Sequence, residues 1–288
     1  MSKAGVYIPV FNGAAFISTA IRSVLDQSYP DVKAVVVDNA STDETVRIVK
    51  DMQSKYGDSR LQLVRNDKNI GLFGNLNKCL SLVDTDYFAI LCADDYYCNQ
   101  RAIEGCVQVM EQDPAVAAVF GDIRIVDSHG MDLTAVRFER SGKYDPRSLM
   151  LESIMKVRNR FGISALMRRT EHEATYSEDL AYSADVEFAF QHAGSRAVYY
   201  TSDGPLIANR YHLNNASRAL HWRARSELWR VGRRNGVSLN AWERVSSFAS
   251  AFFSSSSKAV FFQWVAFRRR FSGKAHAGSM DIVPCVET

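Results

Sequence analysis

The sequence has 288 residues, of which 47% are hydrophobic and 23% are charged, and its formal net charge is +3. This composition is typical of a folded globular protein and excludes an intrinsically disordered chain. No apolar run approaches the roughly 20 residues that a helix needs to cross a bilayer. Residues 216–288 hold 12 Lys and Arg against 4 Asp and Glu, so a basic segment follows an acidic body and suggests an anionic partner.

The five cysteines are odd in number and lack the spacing of a zinc or redox motif. Four of them fall between residues 79 and 106, where helices and strands alternate and burial as reduced thiols is the simpler account. Reduced thiols favour a reducing compartment, so we expect a cytoplasmic protein.

Apolar runs of strand length alternate with helical periodicity along the first hundred residues. Strands are predicted at residues 6–10, 33–37, 61–64 and 88–91, and helices at residues 14–27 and 75–82 with one between them that ends near Tyr56. Ser41 or Thr42 would cap that middle helix. The alternation predicts an α/β fold with a doubly wound, mostly parallel sheet and right-handed crossovers.

Polar side chains follow three of these strands where each one ends: Phe11 and Asn12, Asp38 and Asn39, and Asp94 and Asp95. Parallel strands present their carboxyl ends at one edge of a sheet, so we expect the three clusters to converge there. Adjacent carboxylates suit a divalent cation, although a solvated turn would also carry them. An acid after the second strand can contact a base or ribose, or simply cap a helix. An aromatic ring after the first strand can stack on a base or pack in the core.

Five sequence blocks resemble glycosyltransferase family two in their order and spacing. They are IPVFN at residues 8–12, SVLDQSYP at 23–30, VVVDNASTD at 35–43, NIG at 69–71 with Asn77, and LCADD at 91–95. The resemblance covers roughly residues 4–217 and implies the A-type nucleotide-diphospho-sugar transferase fold. It also implies a divalent cation, Mn²⁺ or Mg²⁺, and inversion at the anomeric carbon of the transferred sugar.

The resemblance implies roles for individual residues. Phe11 matches the aromatic residue that stacks on the base, and Asp38 matches the acid that contacts the base. Asp94 matches the ribose contact, and Asp95 matches the principal metal ligand. The predicted nucleotide-sugar site comprises Pro9, Phe11, Asn12, Asp38, Asn69, Gly71, Asn77 and Asp94.

Three positions in these five blocks depart from the family pattern, and in the later block with Asp185, Ala184 replaces the usual Glu. Asn39 and Cys92 stand where the family often has an acid, and Leu76 stands where it often has Arg. The change at Cys92 leaves Asp94 and Asp95 as the available carboxylate pair. The changes at Asn39 and Leu76 leave the identity of the base open.

The resemblance extends to the acceptor side of the reaction. Residues 162–169 resemble the segment that walls the acceptor pocket, or form a plain strand whose Arg168 and Arg169 are solvated. Residues 184–194 resemble the helix that presents the catalytic base, and Asp185 matches that base. A carboxylate at a helix N-terminus stays ionised, as a base must. A helix-dipole acid without a chemical role is the alternative for Asp185, and Asp179 is the rival base.

The block RYHLNNAS at residues 210–217 places His212 after a strand, where it resembles the family histidine that reaches the metal or the diphosphate. Imidazole is a fair ligand for Mn²⁺, although a solvent-exposed loop histidine is the alternative. Residues 218–288 lie outside the resemblance, as a basic, mainly helical extension of a catalytic domain at residues 1–217. Within it, residues 258–271 are apolar and aromatic and then basic, which suits an anionic membrane surface or a helix packed on the catalytic domain.

These features together predict an inverting enzyme that moves a sugar from a nucleotide diphosphate sugar, of UDP or dTDP type, to an acceptor hydroxyl. The expected acceptor is a glycan or a lipid-linked intermediate of bacterial surface polysaccharide or glycolipid synthesis, met at the inner membrane face. A nucleotidyltransferase would need a Gly-rich, basic phosphate loop after the first strand, and residues 11–15 contain no Lys or Arg. A catalytically inactive nucleotide-sugar-binding module stays open. No recognition motif accompanies the basic residues, so nucleic acid is not an expected partner.

Overall fold

The computed structural model describes residues 2–56, 59–137, 140–156, 163–171, 174–211, 224–237 and 239. The strands in this part of the chain are β1 Ala4–Val10, β2 Val32–Asp38, β3 Leu61–Arg65, β4 Tyr87–Ile90, β5 Tyr96–Tyr97, β6 Val116–Val126, β7 Asp132–Val136, β8 Gly142–Tyr144, β9 Leu166–Arg169 and β10 Ala197–Arg210. The helices are α1 Ile17–Leu25, α2 Thr45–Tyr56, α3 Leu72–Ser81, α4 Ala102–Gln112, α5 Pro146–Lys156, α6 Ala184–Ala193 and α7 Ala224–Arg234, and a short 3-10 turn spans Ile163–Ala165.

The first four strands form a parallel half-sheet in the order β3-β2-β1-β4. All seven residues of β1 are buried, and every residue of β2 except Lys33 is buried. Parallel strands that are covered on both faces need continuous apolar runs, which these two segments supply. The four strands predicted from the sequence are confirmed, with ends that differ by one or two residues.

The second half of the sheet is mixed. β9 lies antiparallel between β4 and β6, where Arg168 pairs with Phe88 on one side and with Ala118 on the other. β10 runs parallel to β6, and β5, β7 and β8 add short antiparallel pairs. The main strands β1 to β4, β6 and β10 therefore point in one direction, which confirms the predicted α/β fold with a mostly parallel sheet.

The helix α1 covers one face of the half-sheet. Its buried residues are Ile17, Ala20, Ile21 and Val24. The spacing of three and four residues is that of an amphipathic helix, and these side chains join the core formed with β1, β2 and β4. α1 begins at Ile17, three residues later than predicted, after a turn in which the amides of Phe16 and Ile17 both donate to the carbonyl of Gly13.

The prediction that Ser41 or Thr42 caps the second helix is wrong. α2 begins at Thr45, and the side chain of Asp43 accepts a hydrogen bond from the Thr45 amide at 3.0 Å. α3 begins at Leu72 directly after Gly71, which has φ +80°. Glycine adopts a positive φ without strain. Gly71 therefore allows the backbone turn that precedes α3.

The compact unit that contains the sheet extends through Leu239. α7 packs on α5 so closely that a Cβ atom on Gly232 would lie 2.7 Å from Cδ1 of Ile154. The proposed division at residue 217 falls outside the described residues, as do residues 258–271 of the predicted membrane segment. Among the described residues, no helix has both the length and the apolar character needed to cross a membrane.

Candidate active site

The candidate site lies at the edge of the sheet where β1, β2 and β4 end. Val10 lies opposite Asp38 in the register of β1 and β2, and the amide of Asn39 donates to the carbonyl of Val10 at 2.8 Å. β4 pairs with the other side of β1 and ends at Ile90. The three polar clusters that follow these strands therefore leave the sheet along one edge.

Phe11 follows β1 and is 49% exposed, so the alternative that its ring packs in the core is wrong. Asn12 lies in a left-handed turn with φ +52°. Its amide donates to Oγ of Ser41 at 2.9 Å, and its Oδ1 accepts from the amide of Thr42 at 2.9 Å. Asn12 thus joins the loops after β1 and β2. Pro9 is buried inside β1, one residue before the end of the strand, whereas Phe11 and Asn12 follow the strand at the edge of the sheet.

Asp38 is completely buried at the end of β2. Its carboxylate accepts a hydrogen bond from the amide of Ser41, and Nε of Arg65 lies 3.2 Å from its Oδ2 in an ion pair. The alternative that Asp38 caps a helix is wrong, because α2 begins only at Thr45. These partners hold Asp38 in one orientation, and its contact with a base stays a prediction.

Asn39 stands where the family often has an acid, and it is 3% exposed. Its Nδ2 donates to Oδ1 of Asn69 at 2.9 Å and to the carbonyl of Gly71 at 3.1 Å. Its Oδ1 accepts from Nδ2 of Asn66 and from the amide of Ile70, each at 3.0 Å. These contacts use both donors and both acceptor positions of the amide. Asn39 therefore fixes the loop before α3, together with the predicted residues Asn69 and Gly71.

Two further asparagines belong to this network and were not predicted from the sequence. Asn66 donates to Oδ1 of Asn75 at 2.9 Å, and Asn75 donates to the carbonyl of Val37 at 3.0 Å. Asn77, predicted as a nucleotide-sugar contact, pairs with the backbone of Tyr176 through hydrogen bonds of 2.9 and 2.8 Å. Asn77 thus ties α3 to the segment that precedes α6. The recurrence of asparagine between residues 66 and 77 was the available signal.

Asp95 is the centre of the candidate metal site and is 6% exposed. Its carboxylate accepts hydrogen bonds from three donors, Oγ of Ser164 at 2.6 Å, Nδ2 of Asn209 at 2.6 Å and the amide of Arg210 at 3.0 Å. Burial, followed by the neighbouring charge of Asp94, raises the pKa of Asp95 to about 7. The alternative of a solvated turn is therefore wrong for Asp95.

Cys92, Asp94 and Asp95 each offer a ligand atom, and these atoms lie within 4.8 Å of one another. Burial and then the charges of Asp95 and Asp94 raise the pKa of the Cys92 thiol. The thiol therefore stays protonated, and the carboxylates are the better ligands for a hard cation. The donor set fits a divalent cation because a positive charge would offset the repulsion between the two acids. His212, the other predicted ligand, lies outside the described residues.

Arg210 is a site residue that the sequence did not predict. Its Nε donates to the carbonyl of Asp94 at 3.1 Å, and its Nη1 donates to the carbonyl of Ser128 at 3.1 Å. Its guanidinium carbon lies 4.8 Å from the ring centre of Phe16 and 5.4 Å from that of Tyr96. These contacts hold the loop that carries the two acids. The only sequence signal was the position of Arg210 at the start of the block that contains His212.

Asp185 lies in the first turn of α6, as predicted, and its Oδ1 accepts a hydrogen bond from the amide of Val186 at 2.9 Å. Its charge also contributes to the raised pKa of Cys92, after burial and the two acids of the metal site. The candidate base and the two candidate metal ligands therefore all lie close enough to the Cys92 thiol for their charges to raise its pKa. The rival base Asp179 pairs with Arg234 at 2.7 Å, which lowers the pKa of Asp179.

Arg168 was predicted either to wall the acceptor pocket or to be solvated, and it is 1% exposed. Its guanidinium carbon lies 5.1 Å from the ring centre of Phe188 and 5.8 Å from that of Phe88. Burial lowers the pKa of Arg168, and the negative charge of Asp185 is among the contributions that oppose that shift. The solvated alternative is therefore wrong for Arg168, whose charge lies close enough to Asp185 to act on it.

Known proteins resemble this chain in sequence. The model of the family Glycosyl transferase family 2 matches residues 5–173. The putative glycosyltransferase EpsE of Bacillus subtilis (strain 168) is 33% identical over 129 residues, which cover 45% of this chain and 46% of that protein. A chondroitin synthase of Escherichia coli is 28% identical over 125 residues, which cover 43% of this chain and 18% of that protein. The chain thus spans less than half of the length of either relative.

Solved structures resemble it in fold. The mannosyltransferase PcManGT from Pyrobaculum calidifontis, in complex with GDP-Man and Mn²⁺, has a TM-score of 0.62 at 18% identity and covers 94% of this chain and 80% of its own. TarS 1-349 of S. aureus, in complex with UDP-GlcNAc, has a TM-score of 0.61 at 16% identity, with coverages of 86% and 79%. These likenesses confirm the predicted A-type glycosyltransferase fold. The family match at residues 5–173 covers more than half of the sequence, and the chain therefore belongs to glycosyl transferase family 2.

Proposed function

We propose that this protein is an inverting glycosyltransferase that moves a sugar from a nucleotide diphosphate sugar to an acceptor hydroxyl. The observation that carries the proposal is the placement of three acids: Asp94 and Asp95 offer ligand atoms within 4.8 Å of one another, and Asp185 lies in the first turn of α6, where its charge reaches the thiol of Cys92 beside the pair. Two of these acids follow β4 and the third lies at the start of α6. The arrangement suits a reaction that stabilises charge on the donor and removes a proton from the acceptor.

The donor is proposed to bind along the edge formed by β1 and β2. Phe11 offers an exposed ring for the base, and Asp38 offers a carboxylate at the next strand end. Asn39 supplies no second carboxylate at this edge, and its side-chain amide is occupied by hydrogen bonds to the loop before α3. We propose a UDP or dTDP type of donor from the family resemblance. The structures with a similar fold contain UDP-GlcNAc or GDP-Man, so a purine nucleotide belongs in the test.

Asp95, with Asp94 beside it, is proposed to hold a divalent cation, Mn²⁺ or Mg²⁺, and His212 stays a proposed ligand. When bound, such a cation supplies a Lewis acid that neutralises the diphosphate leaving group. Ser164 and Asn209 orient the carboxylate of Asp95 through hydrogen bonds of 2.6 Å each. With the amide of Arg210 on Oδ1, three of the carboxylate's about four lone-pair positions are used, so the remaining one, on Oδ1, points in a fixed direction, as ordered metal sites require.

Asp185 is proposed to accept the proton of the acceptor hydroxyl while the acceptor oxygen attacks the anomeric carbon. The new carbon–oxygen bond forms on the face opposite to the diphosphate, whose own bond to carbon breaks, so the configuration inverts. Asp179 is less suited to this role because it lies in ion pairs with Arg234 and Arg230. Holding the donor and the acceptor in line supplies much of the rate.

The acceptor is proposed to be a glycan or lipid-linked intermediate of bacterial surface polysaccharide or glycolipid synthesis. We also propose that residues 258–271, within the basic extension at residues 218–288, contact an anionic membrane from the cytoplasmic side, where salt would weaken binding. Co-sedimentation with anionic liposomes, for the full chain and for a chain that ends at residue 257, tests this proposal. Equal binding of the two chains, or no binding at low salt, would contradict it.

The test of the function begins with UDP, dTDP and GDP, each with and without Mn²⁺. A ligand that binds only the folded state raises its melting temperature, so we expect one nucleotide to raise it further when Mn²⁺ is present. The matching nucleotide sugar should then be consumed with release of the nucleotide diphosphate, and NMR should show inverted configuration in the product. A chain that binds nucleotide sugars but neither transfers nor hydrolyses them would instead be an inactive binding module.

A further inference from the structure

The segment that leads into α6 is held by α7, which lies beyond the family match at residues 5–173. The contacts of α7 join Glu227 to Ala181, Tyr182 and Ser183, Arg230 and Arg234 to Asp179, and Arg234 to Glu187. Asn235, directly after α7, also contacts Glu187. All of these partners lie within eight residues of Asp185 along the chain. The helix therefore contacts the chain on both sides of the proposed base.

Glu227 makes the most concentrated of these contacts, and it is 6% exposed. Its carboxylate accepts hydrogen bonds from three consecutive amides, those of Ala181 at 3.1 Å, Tyr182 at 2.7 Å and Ser183 at 3.2 Å. The hydroxyl of Ser183 donates to the same carboxylate at 3.3 Å. Hydrogen bonds between amides and a carboxylate are charge-assisted and stronger than neutral ones. Glu227 thus fixes three successive peptide groups with one side chain.

The start of α6 lacks the local contact that normally fixes a helix N-terminus. Ser183 occupies the capping position, yet its side chain makes no capping hydrogen bond within α6. A Ser side chain at this position usually accepts a hydrogen bond from an amide of the first turn. Here the hydroxyl is turned towards Glu227 on α7 instead. The place at which α6 begins is therefore set from another helix.

The second anchor lies one turn further along, at Glu187, which is completely buried. Nη1 of Arg234 donates to it at 3.3 Å, and Nδ2 of Asn235 donates to it at 3.1 Å. Oγ of Ser177 is a further donor. Asp185 lies between the two anchored stretches, so its position follows from where α7 holds them.

We infer that Glu227 is a positioning residue, which holds residues 181–183 so that Asp185 is presented to the acceptor hydroxyl. The inference rests on the proposed function, since it takes Asp185 as the base. It also makes residues 224–235 a working part of the catalytic unit. Misplacing a reacting group by about 1 Å can cost about 10²-fold in rate, so a contact on another helix is able to control the reaction.

The test compares Glu227→Gln with the matched control Glu178→Gln, which removes the same charge from an exposed residue on the segment before α6 that Glu227 contacts. Calorimetric titration with the nucleotide diphosphate counts binding-competent sites, and kcat is expressed per site. We expect Glu227→Gln to lower kcat about tenfold to 10²-fold and to leave donor affinity unchanged. The Glu178 control should match the unmodified chain. Hydrogen exchange should become faster at the amides of residues 181–183 in Glu227→Gln alone.

The remaining outcomes overturn the inference or separate it from the proposed function. An unchanged kcat per site in Glu227→Gln would overturn it. A parallel loss of donor binding, melting temperature and rate would also overturn it, because Glu227 would then support the whole fold. An unmodified chain that transfers no sugar would instead remove the proposed function. The exchange measurement would still decide in that case whether Glu227 holds residues 181–183.

Discussion

The two sides of the candidate site are held in place in different ways. On the proposed donor side, Phe11 and Asn39 directly follow strands, Asp38 ends β2, and the register of β1 and β2 aligns their loops. On the proposed acceptor side, Asp185 lies on a helix whose start is held by Glu227, a residue 46 positions beyond Ala181. Sheet register and contacts between neighbouring loops thus position the proposed donor side, whereas packing between separate helices positions the proposed acceptor side.

Asp95 belongs to both sides. It follows β4 like the other strand-end residues, but its three hydrogen-bond donors come from later in the chain. Ser164 is 69 positions away, Asn209 is 114 and Arg210 is 115. The acceptor half therefore orients the carboxylate proposed to bind the metal on the donor half. Variants at Asp95 should disturb both sides, and variants elsewhere should disturb one.

Replacement of Asp95 by Ala should have the largest effect. It removes the proposed metal ligand and leaves the three donors around it without their acceptor. Loss of several kcal/mol of charge stabilisation corresponds to a fall in transfer of roughly 10³-fold or more. Nucleotide diphosphate binding, measured by calorimetry, should lose its dependence on Mn²⁺. Asp113→Ala, which removes a surface partner of Lys143, is the control. A variant at Asp95 that still binds nucleotide more tightly with Mn²⁺ would place the metal elsewhere.

Asp185→Asn should disturb the acceptor side alone. The variant keeps the size of the side chain and loses its ability to accept a proton. We expect kcat to fall by about 10²–10⁴-fold, as is typical for loss of a general base, while donor affinity is retained. Steady-state kinetics at saturating donor, together with donor titration, separates these quantities. A greater loss in Asp179→Asn than in Asp185→Asn would reverse the assignment of the base.

The same division explains what could be predicted from the sequence. Continuous apolar runs fixed β1 to β4, so the polar residues after them could be placed at one edge. The engagement of Asn39 by Asn66 and Ile70 could not be predicted, because it depends on a loop contact about thirty positions away. Ser41 and Thr42 resembled capping residues, yet they contact Asn12 across the edge.

On the acceptor side, the helical block that contains Asp185 was visible as a pattern, but its supports were not. Ser164, Asn209 and Glu227 carry no local signature, since each acts on a segment far away in sequence. Arg168 looked like the basic end of a strand, but β9 lies between β4 and β6, and Phe188 of α6 lies against the guanidinium, so Arg168 is buried. Periodicity predicts which face of an element is apolar and does not predict which distant element covers it.

Asn209→Ala tests whether the acceptor half orients the metal ligand. Removing a group that orients a metal ligand typically costs 10–100-fold in metal affinity, and we expect about that loss for Mn²⁺. Electron paramagnetic resonance of free Mn²⁺ measures the affinity directly, without any sugar transfer. Ser202→Ala, at an exposed position of the same strand β10, is the control. Unchanged Mn²⁺ affinity in Asn209→Ala would mean that Asn209 does not orient the metal-binding carboxylate of Asp95.

Phe11→Ala should have the smallest effect of these substitutions. It changes the proposed donor side alone, so it tests whether the two sides of the candidate site are independent. The ring is 49% exposed, so its removal should leave the melting temperature unchanged. Lost stacking on the base is worth about 0.5–1.5 kcal/mol, which weakens donor binding by up to about tenfold. With saturating donor, kcat should equal that of the unmodified chain. Met131→Ala, another exposed apolar residue, controls for loss of surface area. If kcat falls in Phe11→Ala at saturating donor, the base contact also acts on the transfer step, and the two sides are coupled through the bound donor.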